Sequence, residues 1–181
     1  MHREQELDLI HKSQRGNAQA FRALVESHQG LAYSIAFRFT REEQESEDIV
    51  QEAFIKIWKN ISKHNEEFRF KTWLARIVTN QCLDYLKSAR KKSSTQSIIR
   101  EEMNISHNEH KVESDELKTI VYLLADKLTE KQKAVFILRD LETLEPEEVC
   151  SILQMSDGNM KSNLYYARLK IKEGLKKIYK D

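Results

Sequence analysis

Asp48 and Glu52 stand four residues apart in the segment ESEDIVQEAFIKIW, residues 45–58. On a helix that spacing puts both carboxylates on one face. Two neighbouring acids can act as general acid and general base when their surroundings push their pKa values apart. That chemistry needs an enclosing pocket, and no histidine, cysteine or metal-ligand motif accompanies the pair. The catalytic reading is therefore the weakest of three. From Glu42 to Glu52 there are six acids and no base. Such a run suits a docking face for a basic surface, or simply a solvated helix face. The helical pattern turns Ile49, Val50, Ala53, Phe54, Ile57 and Trp58 inward, while Asp48, Gln51, Glu52 and Ile55 project elsewhere.

A second segment, FRFKTWLARIVTNQCLDYLKSARKK, covers residues 68–92. It carries seven basic residues (Arg69, Lys71, Arg76, Lys87, Arg90, Lys91 and Lys92) against the single acid Asp84. Phe68, Phe70 and Trp73 interleave with the first of these. Aromatic faces stack on unpaired bases while basic side chains hold the backbone, so this mixture is suited to gripping single strands. A base that leaves its stack needs such a replacement contact. Trp73 also has core spacing with Leu74 and Ile77. Phe68 and Phe70 precede the helical stripe and are the better stacking candidates.

The third constellation lies near the C-terminus. Glu145-Pro146-Glu147-Glu148 reads as a helix start, with proline at the first position and acids around it. A short helix over Pro146–Leu153, a polar turn over Gln154–Gly158 and a longer basic helix make a helix-turn-helix pattern. The second helix of that unit lies in the major groove and presents its N-terminal residues to base edges. Outward positions here are Asn159, Lys161, Ser162, Asn163, Tyr165, Tyr166 and Arg168. Asn163 suits an adenine edge, and Lys161 and Arg168 suit phosphates. Residues 161–180 hold seven bases against Glu173.

These segments need helices to hold them. Four glycines and one proline in 181 residues are too few for the turns of an all-β fold. Apolar stripes of helical period run through residues 17–92: Phe21, Leu24, Val25, Ala32, Ile35, Ala36 and Phe39, then the docking-segment stripe, then Trp73, Leu74, Ile77, Val78, Tyr85 and Leu86. A short helix around Gln5–Gln14 precedes them and stops at Gly16. Residues 93–115 are serine-rich and charged and lose the period, which predicts a flexible linker, with a short helix around Ile98–Ile105 as an option. Periodicity resumes at Glu116, and Thr129 is a good helix cap. The expected fold is all-α: a helical domain over residues 1–92, the linker 93–115, and a helix-turn-helix domain over 116–181. Cys82 and Cys150 sit in helical patterns and read as buried structural thiols. No apolar run reaches the roughly 18–20 residues that span a bilayer, and the polar start MHREQELDLIHK is no signal peptide. The expected place is the cytoplasm, without membrane insertion.

In that order, the docking segment, the strand-gripping segment and the stretch from LTEKQKAVFILRD to SDGNMKSNLYYARLKI resemble the motifs of bacterial RNA polymerase sigma factors. Within these they resemble the small two-domain extracytoplasmic-function group, and the resemblance covers roughly residues 5–92 and 116–179. It implies a sigma factor with no catalytic residue, metal or cofactor of its own. Such a protein binds core RNA polymerase, directs it to promoter DNA and helps to melt it. By resemblance, the polymerase-docking positions are Asp48, Ile49, Gln51, Glu52 and Phe54. A loop at about His64–Lys71 captures a flipped base. Phe68, Phe70, Lys71, Arg76 and Asn80 face the minus-ten element, and Lys87, Arg90, Lys91 and Lys92 hold phosphates. Asn159, Lys161, Ser162, Asn163, Tyr166 and Arg168 face the minus-thirty-five element. An anti-sigma protein is an implied partner. The chain departs from the family at Glu145-Pro146, where a Ser or Thr cap is usual, at Cys150 in place of a small Ala, and at Asn159-Met160 in place of Thr and Val. The last departure means that no promoter sequence carries over. A helix-turn-helix regulator that binds duplex DNA as a dimer would explain residues 116–181, but not the two N-terminal segments.

Overall fold

Asn17 sets the first long helix. Gly16, with φ +85°, ends the preceding helix in a conformation that glycine adopts without strain. The Asn17 side chain then accepts the Ala20 amide at 3.0 Å. Replacing Asn17 with Ala should cost about 1 kcal/mol of stability, read by urea denaturation. In the computed structural model the backbone is described for residues 2–95 and 112–179, and the side chains for 2–89 and 116–179. The N-terminal domain contains α1 (Arg3–Gln14), α2 (Ala18–Thr40), α3 (Glu43–Asn60), a 3-10 turn (Ile61–Lys63) and α4 (Phe70–Thr95). The C-terminal domain contains α5 (Val112–Ala125), α6 (Glu130–Phe136), a π turn (Ile137–Leu141), α7 (Pro146–Leu153) and α8 (Asp157–Ile178). There is no strand among the described residues.

Leu24, Ala32, Ile35, Ala36 and Phe39 of α2 are buried, as their stripe requires. They meet Ala53 and Ile57 of α3 and Leu74, Val78 and Cys82 of α4 in one core. Burial pushes the Cys82 thiol up to about 12, so it stays protonated and inert. Cys150 is only half-buried, so the expectation of an enclosed thiol holds for Cys82 alone.

Both ends of the expected linker are helical. α4 continues through Thr95 and α5 begins at Val112. The rest of the linker, with the optional helix at Ile98–Ile105, lies outside the described residues.

Thr129 caps α6 in a reciprocal box with Gln132. Pro146 occupies the first turn of α7. In place of a hydroxyl cap, the Glu145 amide donates to Glu148 Oε2 at 3.2 Å. The turn after α7 is shorter than the sequence pattern suggests. Gln154 reverses the chain in a left-handed conformation, φ 51°, and the Ser156 hydroxyl accepts the Asn159 amide. Asp157 and Gly158, expected in the turn, thus form the first turn of α8.

Candidate functional site

α2 and α3 leave a groove of about 970 Å³ between their outer faces. Phe21, Val25 and Tyr33 line it from α2, and Val50, Phe54, Ile55 and Trp58 from α3. Glu47, Asp48 and Gln51 supply polar groups to the same lining. Two of its apolar side chains are well exposed, Ile55 at 46% and Trp58 at 37%, while Phe54 is buried at its floor. Trp58, expected to point inward, instead tilts against the Phe21 ring at 4.8 Å and forms groove wall. Ile49 lies on the opposite side of α3 and is buried in the core, so it cannot itself meet a partner. Glu52 is outside the groove and pairs with Lys56 at 2.8 Å. That contact holds its carboxyl below the usual range. Asp48 and Glu52 are both exposed, and a solvated pair offers none of the enclosure that acid–base catalysis needs. The wall from α2 is not apparent from the α3 segment alone. Phe21 and Val25 read as core stripe, and only the packing shows that their far edges stay open.

The start of α4 separates its two phenylalanines. Phe70 is fully buried and packs edge-on against His28 at 5.0 Å, with His64 and Trp73 at 6.1 Å each. Its expected role as a stacking platform is therefore corrected: it is a core residue, because the helix starts at Phe70 and turns this side chain onto α2. Phe68, just outside the helix, is 52% exposed. It borders a cleft of about 150 Å³ with Lys63, His64, Trp73 and Arg76. The His64 ring stacks on Trp73 at 5.0 Å. Burial lowers the His64 pKa and favours the neutral ring. His64 Nε2 is enclosed with no hydrogen-bond partner among the described residues. The cleft thus combines flat rings, a buried polar nitrogen and flanking cations. Asn80 is exposed on α4, and Lys87 lies 3.5 Å from Asp84. Lys71 is not free: it pairs with Glu148 of α7 at 2.7 Å. Arg90, Lys91 and Lys92 fall on α4, but their side chains lie outside the described residues.

On α8, Asn159, Lys161, Ser162, Tyr165, Tyr166 and Arg168 are exposed along one helix. Met160, Leu164, Ala167 and Ile171 anchor its other face. Lys161 pairs with Asp157 at 2.7 Å, an exposed contact that a phosphate can replace. Asn163 is half-buried and its Nδ2 donates to the Asn159 carbonyl at 2.8 Å, so it must release that bond to read a base. Arg168 differs from its expected role as a phosphate clamp. Its guanidinium makes two bonds to Asp140, at 2.8 and 2.6 Å, and braces α8 against the π turn. This bidentate geometry is a strong pairing.

An all-helical chain with a terminal helix-turn-helix, an acidic-edged apolar groove and an aromatic–basic cleft belongs to the class of DNA-binding transcription proteins. Comparison with known proteins gives the family. The Sigma-70 region 2 pattern matches residues 24–92, and the Sigma-70 region 4 pattern matches residues 118–171. The ECF RNA polymerase sigma-E factor of Escherichia coli is 31% identical, covering 88% of this chain and 88% of that protein. The RNA polymerase sigma-H factor of Pseudomonas aeruginosa is 26% identical, over 98% of this chain and 97% of its own length. Two solved structures share the fold. One is CnrH in complex with the cytosolic domain of CnrY (TM-score 0.71, 21% identity, covering 94% of this chain and 97% of that one). The other is the Bartonella quintana sigma factor RpoE in complex with the anti-sigma factor NepR (TM-score 0.69, 19% identity, 88% and 98%). The chain belongs to the extracytoplasmic-function sigma factors of bacterial RNA polymerase. As a member of that family, which is not a family of catalysts, it directs RNA polymerase to promoters.

Proposed function

We propose that this sigma factor uses three separate surfaces in order. The groove between α2 and α3 docks core polymerase, α8 reads the duplex, and the cleft at the start of α4 receives a base from the opened strand. The observation that carries this reading is the groove, where Ile55 and Trp58 lie open beside Glu47 and Asp48. Open apolar surface of that kind marks an interaction site, and its acidic edge selects a basic partner. Phe68, Trp73 and Arg76 supply stacking and charge for the unpaired strand. The division of labour follows residues 1–92 and 116–181. No described helix is long and apolar enough to cross a membrane, which fits a protein that works beside polymerase in the cytoplasm. Solved relatives sit in complex with CnrY or with an anti-sigma factor. By analogy, a partner of that kind silences this chain by covering the same groove. Transcription reconstituted with core polymerase and genomic promoter fragments tests the whole reading. Polymerase-dependent starts at a discrete promoter set are expected, and failure of the intact protein to bind core polymerase would sink it.

Duplex reading has its own test. Asn163→Ala should cost roughly 1–3 kcal/mol on the preferred promoter and relax selection at one base pair. Competition binding across single-base variants measures this, and an equal loss on every sequence would reduce Asn163 to a backbone contact.

A further inference from the structure

The loop between the 3-10 turn and α4 contributes His64, Asn65 and Phe68 to the lining of the aromatic–basic cleft. Residues 65–69 are exposed. Within the loop the His64 amide donates to the Ile61 carbonyl and the Phe68 amide to the Asn65 carbonyl, each at 3.1 Å. Three side chains of α1 fasten this stretch from outside, in order along the chain. Gln14 Nε2 donates to the Ile61 carbonyl at 3.1 Å, where the loop begins. His11 Nε2 lies 2.6 Å from Glu66 Oε1, near its middle. Glu6 Oε1 lies 3.0 Å from Nε2 of His28, and the His28 ring meets Phe70, where the loop ends. Glu6 and Gln14 are about 12 Å apart along the helix axis, so α1 runs beside the whole loop.

The Glu6–His28 contact is the firmest of the three, because both side chains are largely buried. His28 Nδ1 faces the Leu24 carbonyl at 3.0 Å. A carbonyl only accepts, so Nδ1 carries a proton, and Nε2 needs a second proton to reach a carboxylate. The pair is then an imidazolium against a carboxylate. The hydrogen bond from His28 holds the Glu6 carboxyl below its usual range, and nearby Arg69 acts the same way. From His28 a chain of rings leads into the cleft: Phe70 packs edge-on against His64 and Trp73, which stack on each other. α1 itself lies ahead of residues 24–92, which match the Sigma-70 region 2 pattern. None of its residues lines the groove between α2 and α3.

We propose that α1 is the brace of the strand-receiving cleft, with Glu6, His11 and Gln14 as positioning residues. They touch no base. They hold the loop so that His64, Phe68 and Trp73 stand in place before an unpaired strand arrives, which removes an ordering cost from the binding step. A loop that visits the receiving shape only part of the time binds more weakly by that fraction. Docking of polymerase in the groove between α2 and α3 does not depend on the brace. The inference rests on the reading of this cleft as the place that receives a base from the opened strand.

Glu6→Ala combined with His11→Ala in the full chain removes two of the three fastenings. Hydrogen exchange read by mass spectrometry should show the amides of residues 62–69 exchanging at least about fivefold faster, with those of α2 and α3 unchanged. Bound to core polymerase, the variant should open a promoter used by the parent at least about fivefold less, read by permanganate reactivity of its thymines. Its affinity for core polymerase should stay the same, whereas a fold that is merely weakened would lower both. Glu6→Gln is the rescue. Its amide can accept from a charged His28 ring or donate to a neutral one, so exchange and opening should stay near the parent values. Should the double alanine variant fail to fold, His11→Ala with Gln14→Ala loosens the loop from partly exposed positions. Unchanged loop exchange overturns the brace, and so does a loosened loop that opens promoters as well as the parent. If the parent itself opens no promoter, the reading of the cleft has failed and this role falls with it, while the exchange result still decides whether α1 fastens the loop.

Discussion

Replacing Asp48 and Ile55 together with lysine is expected to abolish useful binding to core polymerase, by about a hundredfold or more, while the protein stays folded. Both side chains line the groove and both are exposed, so neither change opens a cavity in the core. The new charges would sit on an apolar floor and reverse the sign of its rim. Interface anchors of this kind commonly account for 2 kcal/mol or more each, and like charge against a basic partner adds to the loss. A hundredfold corresponds to about 2.7 kcal/mol. Titration of labelled protein with core polymerase measures it, with circular dichroism as the check on folding. Glu52→Lys is the informative contrast. Glu52 lies outside the groove lining and is already paired with Lys56. Its reversal should weaken docking by a few-fold only. Equal losses at both sites would mean that the partner reads the overall charge of α3 and does not enter the groove.

Phe70→Ala and Phe68→Ala should fail in opposite ways. Phe70 has no exposed surface and packs among His28, His64 and Trp73. Truncating a buried phenylalanine costs about 3–5 kcal/mol, a large share of the stability of a small protein. The midpoint of urea unfolding should fall sharply. Phe68 is half exposed and borders the cleft. Its truncation should leave the unfolding curve nearly unchanged and weaken capture of an unpaired strand by about 1–3 kcal/mol. Permanganate reactivity of promoter thymines would report the loss of opening. A stable Phe70→Ala protein with defective opening would return Phe70 to the DNA-contacting surface.

The two phenylalanines also show where sequence reading stops. Helical period and cap residues were sufficient for the helices: the α2 stripe, Thr129 and Pro146 all sit where their chemistry requires. Gly16 ends α1 for the same local reason. These features depend on neighbours within one turn, which a sequence displays directly. Phe68 and Phe70 differ by two positions and share composition, so only the onset of α4 and the partner ring of His28 decide which is inside. Arg168 presents the same difficulty. Its spacing suits a phosphate contact, but Asp140 claims it from a different element. Ile49 and Phe54 are both apolar, buried residues of the α3 stripe, and only the packing against α2 shows that Phe54 borders the groove and Ile49 does not. The existence of each surface was therefore legible in residue type and order. Membership of each surface depends on contacts between distant segments, and it shifts Trp58, Phe70 and Arg168 from their expected places.

The π turn at Ile137–Leu141 lies between α6 and the helix-turn-helix, where it bears on how α8 is aimed. Each residue of an α-helix advances the chain by about 100° around its axis. A π turn accommodates one residue more than the regular helix without breaking the rod. Deleting a single residue there would draw the wide turn back into ordinary helix, whereas inserting one more would carry everything beyond it about 100° further round the axis. Asp140 would lose Arg168, and Glu142 would lose Arg38 and Ser34. The direction in which α8 meets its target is thus indexed by one residue of chain length, as a ratchet tooth fixes the angle of a wheel, and a single-residue insertion in this turn should re-aim the domain where substitutions on its surface would not.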